Sequence, residues 1–387
     1  MPDVETAVVV WGDRHFPPAA IAEQAKALEA SGVVDGMLLA DQLVNFIPRQ
    51  LWTPENTPMA NVIGDPDSHP DVFVMAAYLL AAAPSLHLSV STDSVRRAPA
   101  ELIQTMLTLA NITEGHATFQ IGAGEVKQCK PYGHKRSHGL SRMEDLLKIF
   151  HALWESDGPI DYEGRRTTFE KASIGNGMPY RPQIWGLGAG PQLLDHITSY
   201  ADGLAVTCPP AWATAERFAE NRAEIRAQLE RKGRDPDAFR FAVWFPVMLH
   251  HDADALDRAL ENPLVKWMSA IFGRIDASLW KLDGLESPVP EGWNYFQHLL
   301  PYDTPDAFVD DVLAKTTREH VRKCWLCGTP QEVAEMMQPY IDAGAEWVCP
   351  MDYLPLVLDP GEAEAAFGRT LELSGIVKAQ ARAAAPA

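Results

Sequence analysis

The sequence predicts a single-domain (β/α)8 barrel. Segments typical of strands and of helices alternate along most of the 387 residues, and eight strand patterns can be counted. Apolar residues make up 47% of the chain and charged residues 22%, which is typical of a globular protein with a large core. Repeated β-then-α units require parallel strands joined by right-handed crossover helices. Eight such units favour a closed barrel over an open, doubly wound sheet.

The predicted strands are short apolar runs that stop at Gly, Pro, Asp or other polar residues. Helical patterns follow them, and Gly32 and Gly115 are placed to end the first and third helices. The strands are expected at residues 6–12, 35–41, 85–92, 116–124, 182–188, 202–207, 239–250 and 345–351. The helices are expected at residues 17–32, 71–83, 98–115, 141–156, 191–200, 212–233 and 329–344 and from about 360.

Two segments depart from this alternation. Residues 252–323 are irregular and contain Trp267, Trp280 and Trp293. No linker composition bounds this stretch, so we interpret it as an insertion between strands seven and eight that covers the C-terminal face of the barrel. Residues 378–387, "KAQARAAAPA", are expected to form a flexible tail. The whole chain, 1–387, is therefore expected to be one barrel domain.

The composition argues against several classes of partner. A formal net charge of −19 disfavours nucleic acid and anionic membrane surfaces. The longest apolar run, residues 72–83, is too short to span a bilayer, and the N-terminal residues lack the basic region of a signal peptide. We therefore expect a cytoplasmic protein, without stable membrane insertion, that binds a small-molecule substrate.

The cysteine and histidine patterns predict no metal site. Five cysteines, an odd number, fit a reducing compartment. Cys324 and Cys327 form a CxxC, "CWLC", but no second CxxC and no histidine at ligand spacing accompany it, so we interpret the stretch as a buried strand. His250 and His251 are adjacent, and on a strand they would point to opposite faces.

In a (β/α)8 barrel, functional residues lie at the C-terminal ends of the strands. Asp41 ends strand two and is either a general acid or base or a charge at the barrel rim. "GAGE" (122–125) brings a carboxylate to a glycine-rich strand end. "GLGAGP" (186–191) lacks the spacing of a dinucleotide fingerprint, and it is either a phosphate site at a helix N-terminus or a tight turn. The basic loop 127–142 is either a solvated loop or a cationic rim for an anionic ligand.

The order of several motifs resembles the bacterial-luciferase-like oxidoreductases. The motifs are "ADQ", "SVSTDSVRRAP", "NITEGHATFQIGAGE" with "PYG", "IWGLGAGPQLLDHITSYADG" and "CGTPQEV", and the resemblance covers about residues 6–378. Within that superfamily the chain looks most like the branch that uses the deazaflavin coenzyme F420. That branch includes methylene-tetrahydromethanopterin reductases and phthiodiolone ketoreductases, and "LVNFIPR" and "KPYG" are similar to the ketoreductases in particular.

The resemblance implies roles for individual residues. Ser89–Val90 matches the place of a non-proline cis peptide behind the deazaflavin ring, with Thr92 beside the ring. Asp41 would contact the polar edge of the ring, and Glu125 would stand by the reacting face as a candidate proton donor. The phosphate-binding segment matches Gly188, Ala189, Gly190 and Pro191.

The chain also departs from the pattern of these relatives. Many carry Asp-His where this chain has Asp41-Gln42, an aromatic residue, usually Trp, where it has Phe46, and Asn where it has Gln128 or Cys129. Gln128 is taken as the cofactor-binding residue at that place. Glutamine cannot deliver a proton. Within the implied catalytic group of Asp41, Gln42 and Glu125, the proton would therefore come from Glu125, Asp41 or a bound water.

The resemblance implies hydride transfer between C5 of F420 and a carbon of an organic substrate. The substrate is expected to be a carbonyl or alcohol of an apolar metabolite, contacted by Gln42, Phe46, Trp267 and Trp293, and the enzyme to be a homodimer. One alternative is an FMN-dependent monooxygenase of the same fold, which the phosphate segment disfavours because the FMN branch usually has a longer loop there. The other is a non-catalytic relative that binds a cofactor or ligand, which the absence of a histidine at position 42 keeps open.

Overall fold

A closed barrel of eight parallel strands forms the centre of the computed structural model, which describes residues 4–175, 177 and 179–384. β1 pairs with both β2 and β11, and β8 pairs with β9, so the sheet closes on itself in the order β1-β2-β3-β4-β7-β8-β9-β11. The strands are β1 (Glu5–Val9), β2 (Gly36–Ala40), β3 (His87–Asp93), β4 (Ala117–Gly122), β5 (Ile160–Glu163), β6 (Thr168–Ala172), β7 (Gln183–Leu187), β8 (Gly203–Thr207), β9 (Arg240–Leu249), β10 (Leu326–Gly328) and β11 (Trp347–Asp352). The predicted fold class is confirmed, and each predicted strand coincides with one barrel strand.

Helices surround the barrel and bury its outer surface. The outward-facing residues of the strands pack with the apolar faces of the helices in one large cluster. The helices are α1 (Pro18–Ser31), α2 (Val72–Ala82), α3 (Pro99–Ile112), α4 (Val126–Cys129), α5 (Gly139–Glu155), α6 (Pro191–Tyr200), α7 (Ala215–Arg231), α8 (Ala253–Ala259), α9 (Pro263–Phe272), α10 (Tyr295–His298), α11 (Asp306–Lys315), α12 (Arg318–Cys324), α13 (Pro330–Asp342) and α14 (Pro360–Ala384). None of the helices in the described ranges is both long and apolar enough to cross a bilayer.

The inside of the barrel is filled by side chains from β1, β2, β7, β8, β9 and β11. Trp185 and Trp347 meet edge to face, with ring centroids 6.0 Å apart, and they pack with small residues such as Ala205 and Ala242. Gly203 on β8 makes room for this pair, since a Cβ there would stand 2.8 Å from Trp185 Cδ1 and 2.7 Å from the carbonyl oxygen of Arg240. The barrel interior is therefore a packed core, and a ligand would bind beyond its C-terminal end.

The chain between β9 and β11 contains the insertion predicted from its irregular sequence. Helices α8 to α12 lie there and build a second apolar cluster around Trp267, Met268 and Trp325. This cluster also takes in Ile47 from the loop after β2 and Leu354 from the segment after β11. Because both positions follow the C-terminal ends of barrel strands, the insertion packs on the same side of the barrel as those ends.

Three segments differ from the sequence-based expectations. β5 and β6 form an antiparallel hairpin between α5 and β7 that the strand count did not include. In "CWLC", Cys324 ends α12 and only Leu326–Gly328 form a strand, which pairs with the end of β9 outside the barrel closure. Residues 378–384 of the predicted tail continue α14, where Lys378 Nζ lies 2.5 Å from Asp35 Oδ1, and residues 385–387 lie outside the described chain.

We predict that Gly203→Ala lowers the free energy of unfolding by about 1–3 kcal/mol, because its methyl group forces apart a close-packed contact in the barrel interior. Urea unfolding followed by tryptophan fluorescence measures the change. Gly64→Ala is the matched control, since a Cβ at Gly64 meets nothing within 4 Å, and its effect should stay within about 0.5 kcal/mol. Equal unfolding midpoints for the two variants would contradict the packing account of Gly203.

Candidate active site

A cavity of about 760 Å³ opens at the C-terminal ends of the barrel strands. This volume lies within the usual range of small-molecule sites. Its floor and walls come from β1, β2, β3, β4, β7, β8, β9 and β11 and from the insertion. The sequence-predicted site residues that line it are Asp41, Gln42, Phe46, Thr92, Glu125, Gln128, Gly188, Ala189, Gly190 and Pro191.

Asp41 belongs to a buried ionic network. Thr92 Oγ1 donates a hydrogen bond of 2.7 Å to Asp41 Oδ2, and Arg96 Nη2 lies 3.0 Å from the same oxygen. Arg96 also donates to the backbone oxygen of Asp41 at 2.8 Å and pairs through Nε with Asp93. Burial opposes the charge of Arg96, but the carboxylates of Asp93 and Asp41 outweigh it and raise the pKa of the guanidinium. With its oxygens engaged in this way, Asp41 acts as a fixed acceptor at the cavity wall.

Glu125 is paired with a buried lysine that the sequence analysis did not select. Glu125 follows β4, and its side chain is 26% exposed, whereas Lys127 is fully buried. Lys127 Nζ lies 2.9 Å from Glu125 Oε2 and donates a 2.8 Å hydrogen bond to the carbonyl of Val44. The same ammonium group stands 3.6 Å from the centroid of the Phe46 ring. Burial lowers the pKa of Lys127, and the negative charge of Glu125 partly opposes that shift.

Gln128 fixes the loop after β2. Its Oε1 accepts hydrogen bonds from the backbone amides of Leu43 at 2.7 Å and Val44 at 3.2 Å, and its Nε2 donates to the carbonyl of Val44 at 2.8 Å. The polar atoms of Gln128 are therefore engaged with protein backbone. Although it lines the cavity, Gln128 holds the segment that carries Gln42 and Phe46 in place.

The three glycines of "GLGAG" have different functions. A Cβ at Gly186 would overlap the side chain of Ile197, so this glycine lets α6 pack closely on β7. Gly188 has φ +135°, a conformation that favours glycine. Gly190 precedes Pro191, the first residue of α6, and a Cβ there would meet nothing within 4 Å.

The N-terminus of α6 is open toward the cavity. Among the described residues, no side chain caps this helix. The amides of Gln192 and Leu193 lie in the first turn, where helix geometry provides no intrahelical acceptor. Uncapped amides and the positive end of the helix dipole together favour an anion. The structure shows the tight turn, and the uncapped helix start leaves the phosphate site as a prediction.

The predicted cis peptide at Ser89–Val90 is wrong. The described residues contain one cis peptide bond, Cys208–Pro209. β3 pairs in continuous parallel register with β2 and β4, including Ser89 with Thr118 and Val90 with Phe119. Regular pairing on both sides keeps this part of β3 extended within the barrel wall. Ser89 and Val90, both described, do not line the cavity, whereas Ser91, Thr92 and Asp93 do.

Trp267 and Trp293, predicted to contact substrate, do not line the cavity either, and both lie in the described chain. Trp267 is fully buried in the cluster of the insertion, where its Nε1 donates a 2.9 Å hydrogen bond to the backbone oxygen of Phe46. Trp293 packs against Phe308, with centroids 5.6 Å apart. Spacing along an irregular segment could not tell which aromatic side chains face the barrel.

Other aromatic residues form the cavity wall. Phe46, Phe272 and Tyr295 contact one another, with centroids 4.6 to 5.6 Å apart. Phe272 and Tyr295 come from the insertion, so the insertion supplies an apolar wall as expected, through residues other than the predicted tryptophans. The further aromatic residues of the lining are Trp11, Trp244, Phe296, Trp325 and Tyr353.

Residues 4–346 match the model of the luciferase-like monooxygenase family. The phthiodiolone/phenolphthiodiolone dimycocerosates ketoreductase of Mycobacterium kansasii is 27% identical over 344 residues, which cover 86% of this chain and 91% of that protein. A solved F420-dependent secondary alcohol dehydrogenase, in complex with an F420-acetone adduct, has a TM-score of 0.71 and 17% identity, covering 97% of this chain and 99% of its own. A riboflavin lyase with modified FMN has a TM-score of 0.67 and 16% identity, covering 99% and 93%.

We predict that Arg96→Met lowers the free energy of unfolding by about 3–5 kcal/mol, because it leaves the buried carboxylate of Asp93 without a cation and that of Asp41 with only the 3.7 Å contact of Arg97. Arg97→Met is the matched control. Arg97 is 32% exposed and pairs mainly with Asp71, so its loss should change stability by no more than about 1 kcal/mol. Chemical denaturation measures both variants, and similar losses in the two would refute the buried network as the source of stability.

Proposed function

This chain belongs to the luciferase-like monooxygenase family, and we propose that it is an oxidoreductase that transfers a hydride between coenzyme F420 and a carbonyl or alcohol carbon of an apolar substrate. The observation that carries the proposal is that one cavity is lined both by the uncapped helix N-terminus at Gly190 and by Glu125, whose carboxylate pairs with the buried Lys127. An anion site and a proton-holding pair are the two things that a hydride-transfer enzyme with a phosphorylated cofactor needs from its protein.

The residues present fit such a cofactor. The amides at the start of α6 would hold its phosphate, since Gly188 and Gly190 leave the backbone open there. Leu38, Val206 and Met351 give the barrel end an apolar surface for a flat ring. When bound, F420 supplies a hydride at C5 of its deazaflavin. The similarity to a ketoreductase and to an F420-dependent alcohol dehydrogenase supports this choice of cofactor.

Reduction of a carbonyl also requires a proton at its oxygen, and the Glu125–Lys127 pair is placed to hold one. Burial makes Lys127 a stronger acid than an exposed lysine. A proton can pass from Lys127 Nζ to Glu125 Oε2 across their 2.9 Å contact, and Glu125 faces the cavity. In the reverse reaction, alcohol oxidation, the proton would pass from the substrate to Glu125 Oε2 and from there to Lys127 Nζ. This pair takes the role that Gln42 cannot perform.

The substrate class follows from the aromatic wall beside these polar groups. Phe46, Phe272 and Tyr295 form a continuous aromatic surface beside Glu125. Such a surface favours an apolar body that carries a single polar reacting group. A ketone or secondary alcohol on an extended hydrocarbon fits this description.

An FMN-dependent reaction is the second candidate function. The riboflavin lyase, whose fold matches this chain with a similar TM-score, contains modified FMN. Titration of the purified protein with F420, with FMN and with the deazaflavin nucleoside that lacks the phosphate separates the candidates. We expect saturable quenching by F420 and weaker binding of the other two. Tight binding of FMN together with no binding of F420 would overturn the proposal.

We predict that Glu125→Gln lowers kcat about 10²- to 10⁴-fold, the usual contribution of a general acid or base, while the Kd of F420 is unchanged. Activity is measured with reduced F420 against a panel of apolar ketones. Glu155→Gln, at a side chain that is 74% exposed on α5, is the control and should keep full activity. A Glu125→Gln variant with wild-type kcat would show that the proton comes from another group.

A further inference from the structure

A second cavity, of about 550 Å³, lies beside the first. The two cavities share Leu140, Pro191 and Gln192 as lining residues, so they meet at the N-terminus of α6. Beyond this junction the lining becomes polar and basic, with two arginines from the β5–β6 hairpin. We call this second space the arginine cavity; its own lining residues are Ser137, Ser141, Arg165, Arg166, Asp195 and His196.

A buried carboxylate holds the tip of the hairpin against α5. Asp145 on α5 is 1% exposed. It accepts hydrogen bonds from Tyr162 Oη at 3.0 Å, from the backbone amide of Arg165 at 3.0 Å and from that of Arg166 at 2.6 Å. Gly164 allows this approach, because a Cβ at that position would overlap the carboxylate. The positions of Arg165 and Arg166 beside α6 are therefore fixed by the fold.

The guanidinium groups at this site are not neutralised by carboxylates. Arg166 Nε donates to Ser141 Oγ at 3.0 Å, and its two Nη groups have no hydrogen bond or ion pair within the described residues. Arg165 has one long contact, 3.8 Å, with Glu144, and that carboxylate is already paired with Lys148 at 2.7 Å. The Arg165 and Arg166 charges are thus available to a ligand.

The surrounding loop adds further positive charge. Arg136 and Arg142 donate to the backbone carbonyls of Gly124 and Val95, respectively, and form no ion pair in the part of the chain that the structure describes. The carboxylate of Asp195, which lines the arginine cavity, is paired with Lys232, whose Nζ lies 2.7 Å from Asp195 Oδ1. In a chain with a net charge of −19, this is a local cationic surface, which supports the interpretation of the basic loop as a cationic rim for an anionic ligand.

We propose that the arginine cavity binds the carboxylate groups that F420 carries beyond its phosphate. This inference rests on the proposed function. A phosphate held by the amides of Gln192 and Leu193 would lie where the two cavities meet, so a group attached to it on the side of the hairpin would lie in the arginine cavity. Paired guanidinium groups are well suited to carboxylates, which they bind through two parallel hydrogen bonds.

The site also discriminates between the two candidate cofactors. FMN ends at its phosphate and has nothing to place among Arg165 and Arg166, whereas F420 has an acidic chain at this point. Selection would therefore depend on residues outside the ring-binding cavity. Because both arginines are exposed, their contribution should be moderate and should weaken as salt rises.

The test is a fluorescence titration of the full chain with F420 that carries its glutamyl chain and with the same deazaflavin phosphate without glutamate. Wild type should bind the glutamylated form about 5- to 30-fold more tightly, the ratio expected for two exposed charge-assisted contacts. The double variant Arg165→Gln/Arg166→Gln should abolish this ratio and leave the Kd of the truncated form unchanged. High salt should reduce the ratio in wild type.

Arg231→Gln on α7 is the control, since Arg231 is also exposed, at 62%, but lies in an ion pair with Glu224. Equal binding of both forms by wild type would overturn this inference and leave the proposed function standing. A ratio that survives in the double variant would remove the two arginines from the site. If the variant instead raises the KM of the substrate with F420 binding unchanged, the cavity holds an anionic substrate. Failure of wild type to bind either form would contradict the proposed function itself.

Discussion

The C-terminal face of this barrel is organised around one buried ammonium group. Lys127 Nζ contacts the carboxylate of Glu125, the carbonyl of Val44 and the ring of Phe46. A buried charge of this kind is stable only when such partners surround it. The three partners come from the loop after β4 and the loop after β2, so the ammonium group ties together the ends of two strands that lie on either side of β3. The orientation of the candidate proton donor and that of the aromatic wall are consequences of the same contact.

Charge is distributed over this face in a way that the composition alone does not suggest. The chain as a whole is strongly acidic, yet each polar part of the site is built around a cation or the positive end of a helix: Arg96 beside Asp41, Lys127 beside Glu125, α6 at Gly190, and the hairpin arginines beyond it. Local cations within a global field that repels anions would favour anionic ligands that make specific contacts. An apolar substrate bypasses the global field altogether.

The sequence predicted the features that depend on local pattern. The strand periodicity identified all eight barrel strands, and the glycine spacing identified the turn between β7 and α6 as a possible anion site. Prediction from the sequence failed for residues whose surroundings are set by contacts between distant parts of the chain. In the sequence, Lys127 is one of several cations in a basic loop. Only the fold shows that it is buried against Val44, 83 residues away. Likewise Trp267 resembles a pocket residue until its packing in the insertion is seen, and a regular ladder replaces the cis bond expected at Ser89–Val90.

The most direct test of this account is the pKa of the Lys127 ammonium group, measured by NMR titration of protein labelled in its lysine side chains and assigned with Lys127→Met. Burial should place this pKa below those of the exposed lysines in the same spectrum. Glu125→Gln should lower it further, because the negative partner that favours the charged form is removed. A Lys127 that titrates with the exposed lysines, or that does not respond to Glu125→Gln, would contradict the central claim that a buried ammonium group and the carboxylate of Glu125 form one proton-holding pair.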